Sequence, residues 1–296
     1  MRAMFRGRGC RAALAIALAL CGSAGGAQVP DDEAGPRLRA LPPGVTVERD
    51  VAYGAHPLQR MDVYRPAGTR NGMVILLVHG GAWRFGDKAS AAVVENKLAH
   101  WAAQGVVLVS VNYRLLPEAD PATQADDVAR ALAAAQARAA AWGADPARFV
   151  LMGHSAGAHL VALLAARPAR ATGQGARPWL GTVVLDSAAL DVESLMERRH
   201  LRLHDGAFGA DRAYWRSVCP EHQLSAGARP LLLVCSTQRG DDSCGAARRF
   251  AARAEALKVR ATVLPQDLGH GDVNRTLGLP GAYTGAVDAF LASLGT

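Results

Sequence analysis

Five apolar runs, Met73–His79, Val106–Tyr113, Phe149–Gly153, Thr182–Asp186 and Pro230–Ser236, recur along this chain, and a segment of helical pattern stands between each and the next. Runs this short are too brief for core helices, and they show little two-residue alternation. Each therefore reads as a strand buried on both faces. Sheets buried on both faces use parallel strands with helices as crossovers. This predicts an α/β fold, a mostly parallel central sheet with helices on both sides. Val45–Val51 and Arg60–Tyr64 read as edge strands, and 191–217 as mixed and helical. Cys244–Leu257 reads as a helix, Arg260–Leu264 as a strand and Gly281–Leu294 as a closing helix. With 296 residues, half of them apolar, residues 45–296 suffice for one large domain. Ligand sites in such sheets lie beyond the carboxyl ends of the strands.

The first 27 residues read as a secretory leader. Arg2, Arg6, Arg8 and Arg11 precede the apolar run Ala12–Cys21, and small residues up to Ala27 follow. The run is too short to span a bilayer as an ordinary helix. Leucine directly before Cys21 fits a lipidation site poorly, so the expectation is export to the periplasm or outside the cell, with no stable membrane insertion after cleavage. Residues 28–44, with Pro30, Pro42 and Pro43, form an N-terminal arm. The formal net charge of +7 shrinks without the leader, leaving 29 basic against 26 acidic residues. So small a surplus is no footprint for nucleic acid.

Gly153-His154-Ser155-Ala156-Gly157 joins one buried strand to a helix. A tight strand-to-helix turn admits only small residues two positions either side of the serine, and it lifts the hydroxyl above the sheet. It also sets the Ala156 N–H at a helix N-terminus, ready to donate to an oxyanion. His79-Gly80-Gly81-Ala82-Trp83 closes another buried strand, and the Gly81 and Ala82 N–H groups would complete the oxyanion hole. Trp83 either walls the acyl pocket or packs; His79 braces the loop. The serine needs a base, and His270, between two glycines after a strand, is the choice among nine histidines. His200, His204 and His222 read as surface or cap residues. For the acid, Asp242 is preferred over Asp241 because it stands nearer a helix start, where the dipole favours a carboxylate; Asp267 is a third candidate. Asp126 and Asp127 read as stabilising the first turn of their helix.

These motifs, with Val-Asn-Tyr-Arg-Leu at 111–115, the acid loop at 239–244 and Gly-His-Gly at 269–271, resemble the α/β-hydrolases of the esterase/lipase superfamily. The nearest branches are the hormone-sensitive-lipase-like and feruloyl-esterase-like ones. The resemblance implies a serine carboxylic-ester hydrolase that works through an acyl-enzyme, without cofactor, on small-molecule esters of small to medium acyl chain. There are departures. Ala82 stands where the lipase-like branch has a third glycine, the arm is too short for that branch's large cap, and the acid loop lacks Asp-Pro. They point to the feruloyl-esterase-like branch and a small cap or none. Two rivals share the fold: an amide hydrolase, such as an arylformamidase or peptidase, and a non-catalytic binding protein. A long-chain lipase is disfavoured by the charged segment 191–217.

Cys10 and Cys21 fall in the leader. Of the remaining three, Cys235 reads as a buried free thiol in a strand, while Cys219 and Cys244 lie on loops that could be bridged. No Cys/His spacing matches a metal site.

Overall fold

The computed structural model describes residues 35–295. The leader at 1–27 lies outside the described residues, as does the arm before residue 35. Eight strands form one sheet: β1 (Val45–Ala52), β2 (Arg60–Pro66), β3 (Gly72–Val78), β4 (Val107–Val111), β5 (Ala144–His154), β6 (Gly181–Leu185), β7 (Leu231–Ser236) and β8 (Ala261–Gln266). Their order is β1-β2-β4-β3-β5-β6-β7-β8. β1 pairs with β2 and β2 with β4 antiparallel; every later pairing is parallel.

The helices are α1 (Ala91–Ala102), α2 (Pro121–Arg138), α3 (Ala156–Ala166), α4 (Pro168–Thr172), α5 (Val192–Glu197), α6 (Arg202–Phe208), α7 (Arg212–Ser217), α8 (Pro220–Gln223), α9 (Ser243–Ala256), α10 (His270–Arg275) and α11 (Ala282–Ala292). One apolar layer packs α2, α3 and α9 on the sheet, and a second packs α1 and α11 on its other face. Each Val, Leu or Ile so buried contributes about 1.5–3 kcal/mol. Local chemistry sets the boundaries. Asp120 caps α2 by accepting from the Thr123 N–H at 2.8 Å, with Pro121 at the first helical position. α2 ends at Arg138, because Ala139–Trp142 tightens to a 3-10 turn closed by Gly143 at φ 74°. The short helices α4, α8 and α10 were not legible, since one or two turns carry no readable period.

Two registers position the site. His154 of β5 pairs with Leu185 of β6, and Leu185 pairs with Val234 of β7. Beyond those pairs the Ser155 N–H donates to the Leu185 carbonyl at 3.0 Å, and the Asp186 N–H to the Val234 carbonyl at 2.9 Å. Ser155 and Asp186 thus leave adjacent strands at the same level. The connection from β6 to β7 carries α5–α8, and side chains around α6 reach over this end of the sheet.

The cysteine expectation is overturned. Cys235 bonds to Cys244, and Cys219 is the buried free thiol. Cys235, the last residue but one of β7, meets the first turn of α9, where Cys244 sits. Cys219 is held apart in the β6–β7 connection, with the Val192 N–H on its sulfur at 3.4 Å.

Candidate active site

The serine turn is built by mutual exclusion. A Cβ on Gly153 would collide with the Gly157 carbonyl oxygen, and one on Gly157 would collide with that of Val78. Two backbones meet where side chains would stand, which explains the glycine on each side. Ser155 itself is held at φ 54°, ψ −115°. A non-glycine residue there costs on the order of 1–3 kcal/mol, sustained by the surrounding strands. α3 begins at Ala156, so the Ala156 N–H belongs to the first turn, whose donors have no intrahelical acceptor.

The glycine loop after β3 is braced from beneath. His79 stacks on Tyr113 with centroids 4.5 Å apart, and the Tyr113 hydroxyl donates to the His79 carbonyl at 2.9 Å. Gly81 has φ 94°, and a Cβ there would collide with the Phe85 carbonyl oxygen. Ala82 and Trp83 follow at φ 54° and 60°. Gln124 of α2 donates to the Trp83 carbonyl at 2.8 Å and locks this conformation. Trp83 both packs and lines the site: its Nε1–H donates to His159 Nδ1 at 3.2 Å, and its ring borders the cavity over Ser155. That bond and the His159 Nε2–H to the Val218 carbonyl, at 2.7 Å, need a neutral imidazole. Burial, which lowers its pKa to about 4, keeps it so.

Asp126 and Asp127 do not serve the first turn of α2, which holds no acidic residue and is capped by Asp120; Asp127 clamps instead. It is fully buried and receives Arg114 Nε at 2.8 Å and Nη2 at 2.7 Å, with Gln59 Nε2 at 2.9 Å. This clamp ties the segment after β4 to α2. Asp126 instead pairs with Arg170 at 2.8 Å.

Above Ser155 stands a three-residue relay. His270 Nε2 is 2.9 Å from Ser155 Oγ, and His270 Nδ1 is 2.6 Å from Asp186 Oδ2. With its Nδ1–H donating to Asp186, the ring presents the Nε2 lone pair to the serine. His270 opens α10, and its carbonyl accepts from His154 Nε2 at 2.9 Å. The residue between Gly153 and Ser155 therefore steadies His270. Burial, with smaller contributions from His154 and Arg239, holds the His270 pKa below the ordinary value despite Asp186, so the ring is neutral at pH 7. Asp186 is fully buried, which by itself disfavours its charge. The His270 bond, the Arg239 charge and the Ser236 N–H outweigh burial and hold its pKa well below the usual carboxylate range.

The carboxylate beside His270 is Asp186, which corrects the expectation. Asp242, expected beside His270, is 56% exposed and caps α9, accepting from the Gly245 N–H at 3.0 Å and pairing with Arg249 at 3.3 Å. The helix start that recommended it is what occupies it. Asp241 is taken by Arg239, and Asp267 accepts from Gln238 Nε2 at 3.2 Å. The loop after β7 supplies a cation instead: Arg239 Nη1 lies 3.0 Å from Asp186 Oδ2. The same nitrogen lies 2.7 Å from His270 Nδ1, but Nδ1 bears the proton given to Asp186 and has no lone pair to offer, so the carboxylate is the guanidinium's partner. A signal for Asp186 did exist. A carboxylate that closes a short strand buried on both faces is buried with it, and buried charges need partners.

A small cavity of about 90 Å³ lies over Ser155, lined by Ala82, Trp83, Ala188, Ala189 and Leu203. A larger one of about 510 Å³ adjoins it, sharing Leu201, His204, Arg239 and His270. His204, expected at the surface, is buried against Trp83. Among the described residues no group of three or more His, Cys, Asp or Glu side chains is placed to hold a metal ion.

Residues 61–186 match the BD-FAE family model. Esterase LipC of Mycobacterium tuberculosis is 38% identical over 117 residues, covering 39% of this chain and 28% of its own. A probable isoprenylcysteine alpha-carbonyl methylesterase of Oryza sativa subsp. japonica is 30% identical over 162 residues, 53% of this chain and 38% of its own. The chain thus spans well under half the length of these curated relatives. Among solved structures, a truncated carbohydrate esterase from gut microbiota superposes with a TM-score of 0.71 at 16% identity, covering 86% of this chain and 99% of that one. Esterase B of Lactobacillus rhamnosus superposes with a TM-score of 0.68 at 20% identity, covering 87% of each chain.

Proposed function

We propose that this chain, an α/β-hydrolase of the esterase/lipase type, is a serine carboxylic-ester hydrolase acting on esters of small to medium acyl chain. The observation that carries this reading is the relay from Ser155 through His270 to Asp186, at 2.9 and 2.6 Å. The Ser155 hydroxyl attacks the ester carbonyl while His270 Nε2 takes its proton. Asp186 holds the imidazole tautomer and stabilises the imidazolium. The N–H groups of Gly81, Ala82 and Ala156 receive the oxyanion, each such donor contributing about 3–4 kcal/mol to the barrier reduction. His270 returns the proton to the departing alcohol oxygen, and a water activated by the same nitrogen then releases the acid from Ser155. The small cavity over Ser155 supports the short acyl preference.

Hydrolysis of p-nitrophenyl esters of increasing acyl length, run beside Ser155→Ala, tests the proposal. Turnover on short chains, with kcat reduced at least about 10⁴-fold in the variant, is expected. Aryl amides cleaved faster than esters would turn the reading toward an amide hydrolase. A folded wild-type protein inert toward both would leave a binding protein.

We also infer export. The leader-like first 27 residues support it, and so does the Cys235–Cys244 disulfide, since such bonds persist in oxidising compartments.

A further inference from the structure

The larger cavity has an unusual wall. Arg198, Arg199 and Arg239 line it, with Leu195 and Leu201 as its apolar part. Arg239 is committed to Asp186 and Asp241. Arg198 donates to the Asp241 carbonyl oxygen at 3.0 Å, a contact that leaves its charge uncompensated. Among the described residues neither Arg198 nor Arg199 pairs with a carboxylate. Three guanidiniums against Asp186 and Asp241 leave one net positive charge at the cavity. His200 is paired with Asp205 at 2.9 Å and faces the same space. His204, shared by both cavities, is buried with Nδ1 lacking any hydrogen-bond partner. Burial lowers its pKa to about 4, so it offers a neutral polar edge and no charge.

His270 borders this larger cavity, and it is the group that must hand its proton to the leaving oxygen. His270 borders the small cavity as well, but at about 90 Å³ against about 510 Å³ that one has room only for a short acyl group, among Ala82, Ala188, Ala189 and Leu203, which leaves the larger one for the alcohol. We propose that the larger cavity takes the alcohol half of the ester and selects alcohols bearing a carboxylate, held by Arg198 and Arg199. The proposal rests on the esterase reading for its chemistry. An apolar spacer suits Leu195 and Leu201, and a single negative charge matches the net charge of the wall. Planar guanidiniums meet carboxylates through paired N–H donors.

The test compares 4-carboxyphenyl acetate with 4-carbamoylphenyl acetate, each kcat/KM divided by the hydroxide-catalysed rate of the same ester. The carboxylate ester is expected to be preferred about tenfold at low salt, the scale of two partly exposed charge contacts. The preference should weaken as salt rises. It should fall toward unity in Arg198→Gln/Arg199→Gln and reverse in Arg199→Glu. A wild-type ratio at or below one, or one unchanged in the double variant, overturns the proposal. Calorimetric binding of 4-hydroxybenzoate against 4-hydroxybenzamide reads the cavity without catalysis. Tighter binding of the carboxylate, lost in the double variant, supports the subsite even if every ester is inert, a result that would sink only the esterase reading. Equal binding of the two overturns the subsite even if phenyl acetate is hydrolysed.

Discussion

Replacing Asp186 by asparagine should nearly abolish turnover while leaving the fold in place. The exchange is isosteric. The amide oxygen can still accept from the Ser236 N–H, as Asp186 Oδ1 does now at 2.9 Å. At Oδ2, 2.6 Å from His270 Nδ1, an amide NH₂ would replace a carboxylate oxygen. The amide donates where the carboxylate accepted, so the imidazole proton moves to Nε2. That nitrogen, 2.9 Å from Ser155 Oγ, then points a proton at the hydroxyl and cannot take one from it. Inverting the tautomer in this way costs on the order of 10⁴ in kcat. At about 1.36 kcal/mol per decade that is about 5.5 kcal/mol of transition-state stabilisation. Arg239 deepens the loss, because it faces Asp186 Oδ2 at 3.0 Å and would repel an imidazolium no longer balanced by the acid. The control is Asp242→Asn. Asparagine caps helices as well as aspartate does, and the residue is half exposed, so kcat/KM should stay within about twofold. The assay is kcat/KM for a short p-nitrophenyl ester, with circular dichroism to check folding. An Asp186→Asn variant retaining about a tenth of the activity, or a roughly hundredfold loss in Asp242→Asn, would falsify the assignment.

The acid limb of kcat/KM should lie below the ordinary histidine value of about 6.5, because His270 must be neutral to act and its pKa is held down. Removing the neighbouring positive charge in Arg239→Gln favours the imidazolium, so the limb should move to higher pH, with Arg239→Lys in between; a limb that stays put would show that Arg239 does not tune the base. The Cys235–Cys244 bridge closes a loop of sequence separation 9 that carries Arg239, so Cys235→Ser/Cys244→Ser should lose about 2–3 kcal/mol in urea unfolding. An unchanged unfolding midpoint would contradict that.

The sequence by itself determined whatever depends on neighbours in the chain. Apolar runs must be buried strands. The glycines around Ser155 are required by a turn five residues long. Paired glycines after β3 free the donors of the loop that follows, and a histidine between glycines at a strand end can reach a serine. The structure keeps all five core strands, although β5 begins at Ala144, five residues before its apolar run. What only the tertiary structure decided depends on register between strands distant in sequence. Asp186 stands beside His270 because β5 and β6 end level, and the loop after β7 delivers Arg239 to hold its charge. Asp242, chosen for its helix start, is consumed by that same helix. Cys235 pairs with Cys244 because a strand end meets a helix start, and His204 enters the site because the β6–β7 connection folds back over it. A carboxylate, a thiol or an imidazole has no fixed role in the chain. Its partner sets its charge, its tautomer and its reactivity, and packing chooses the partner.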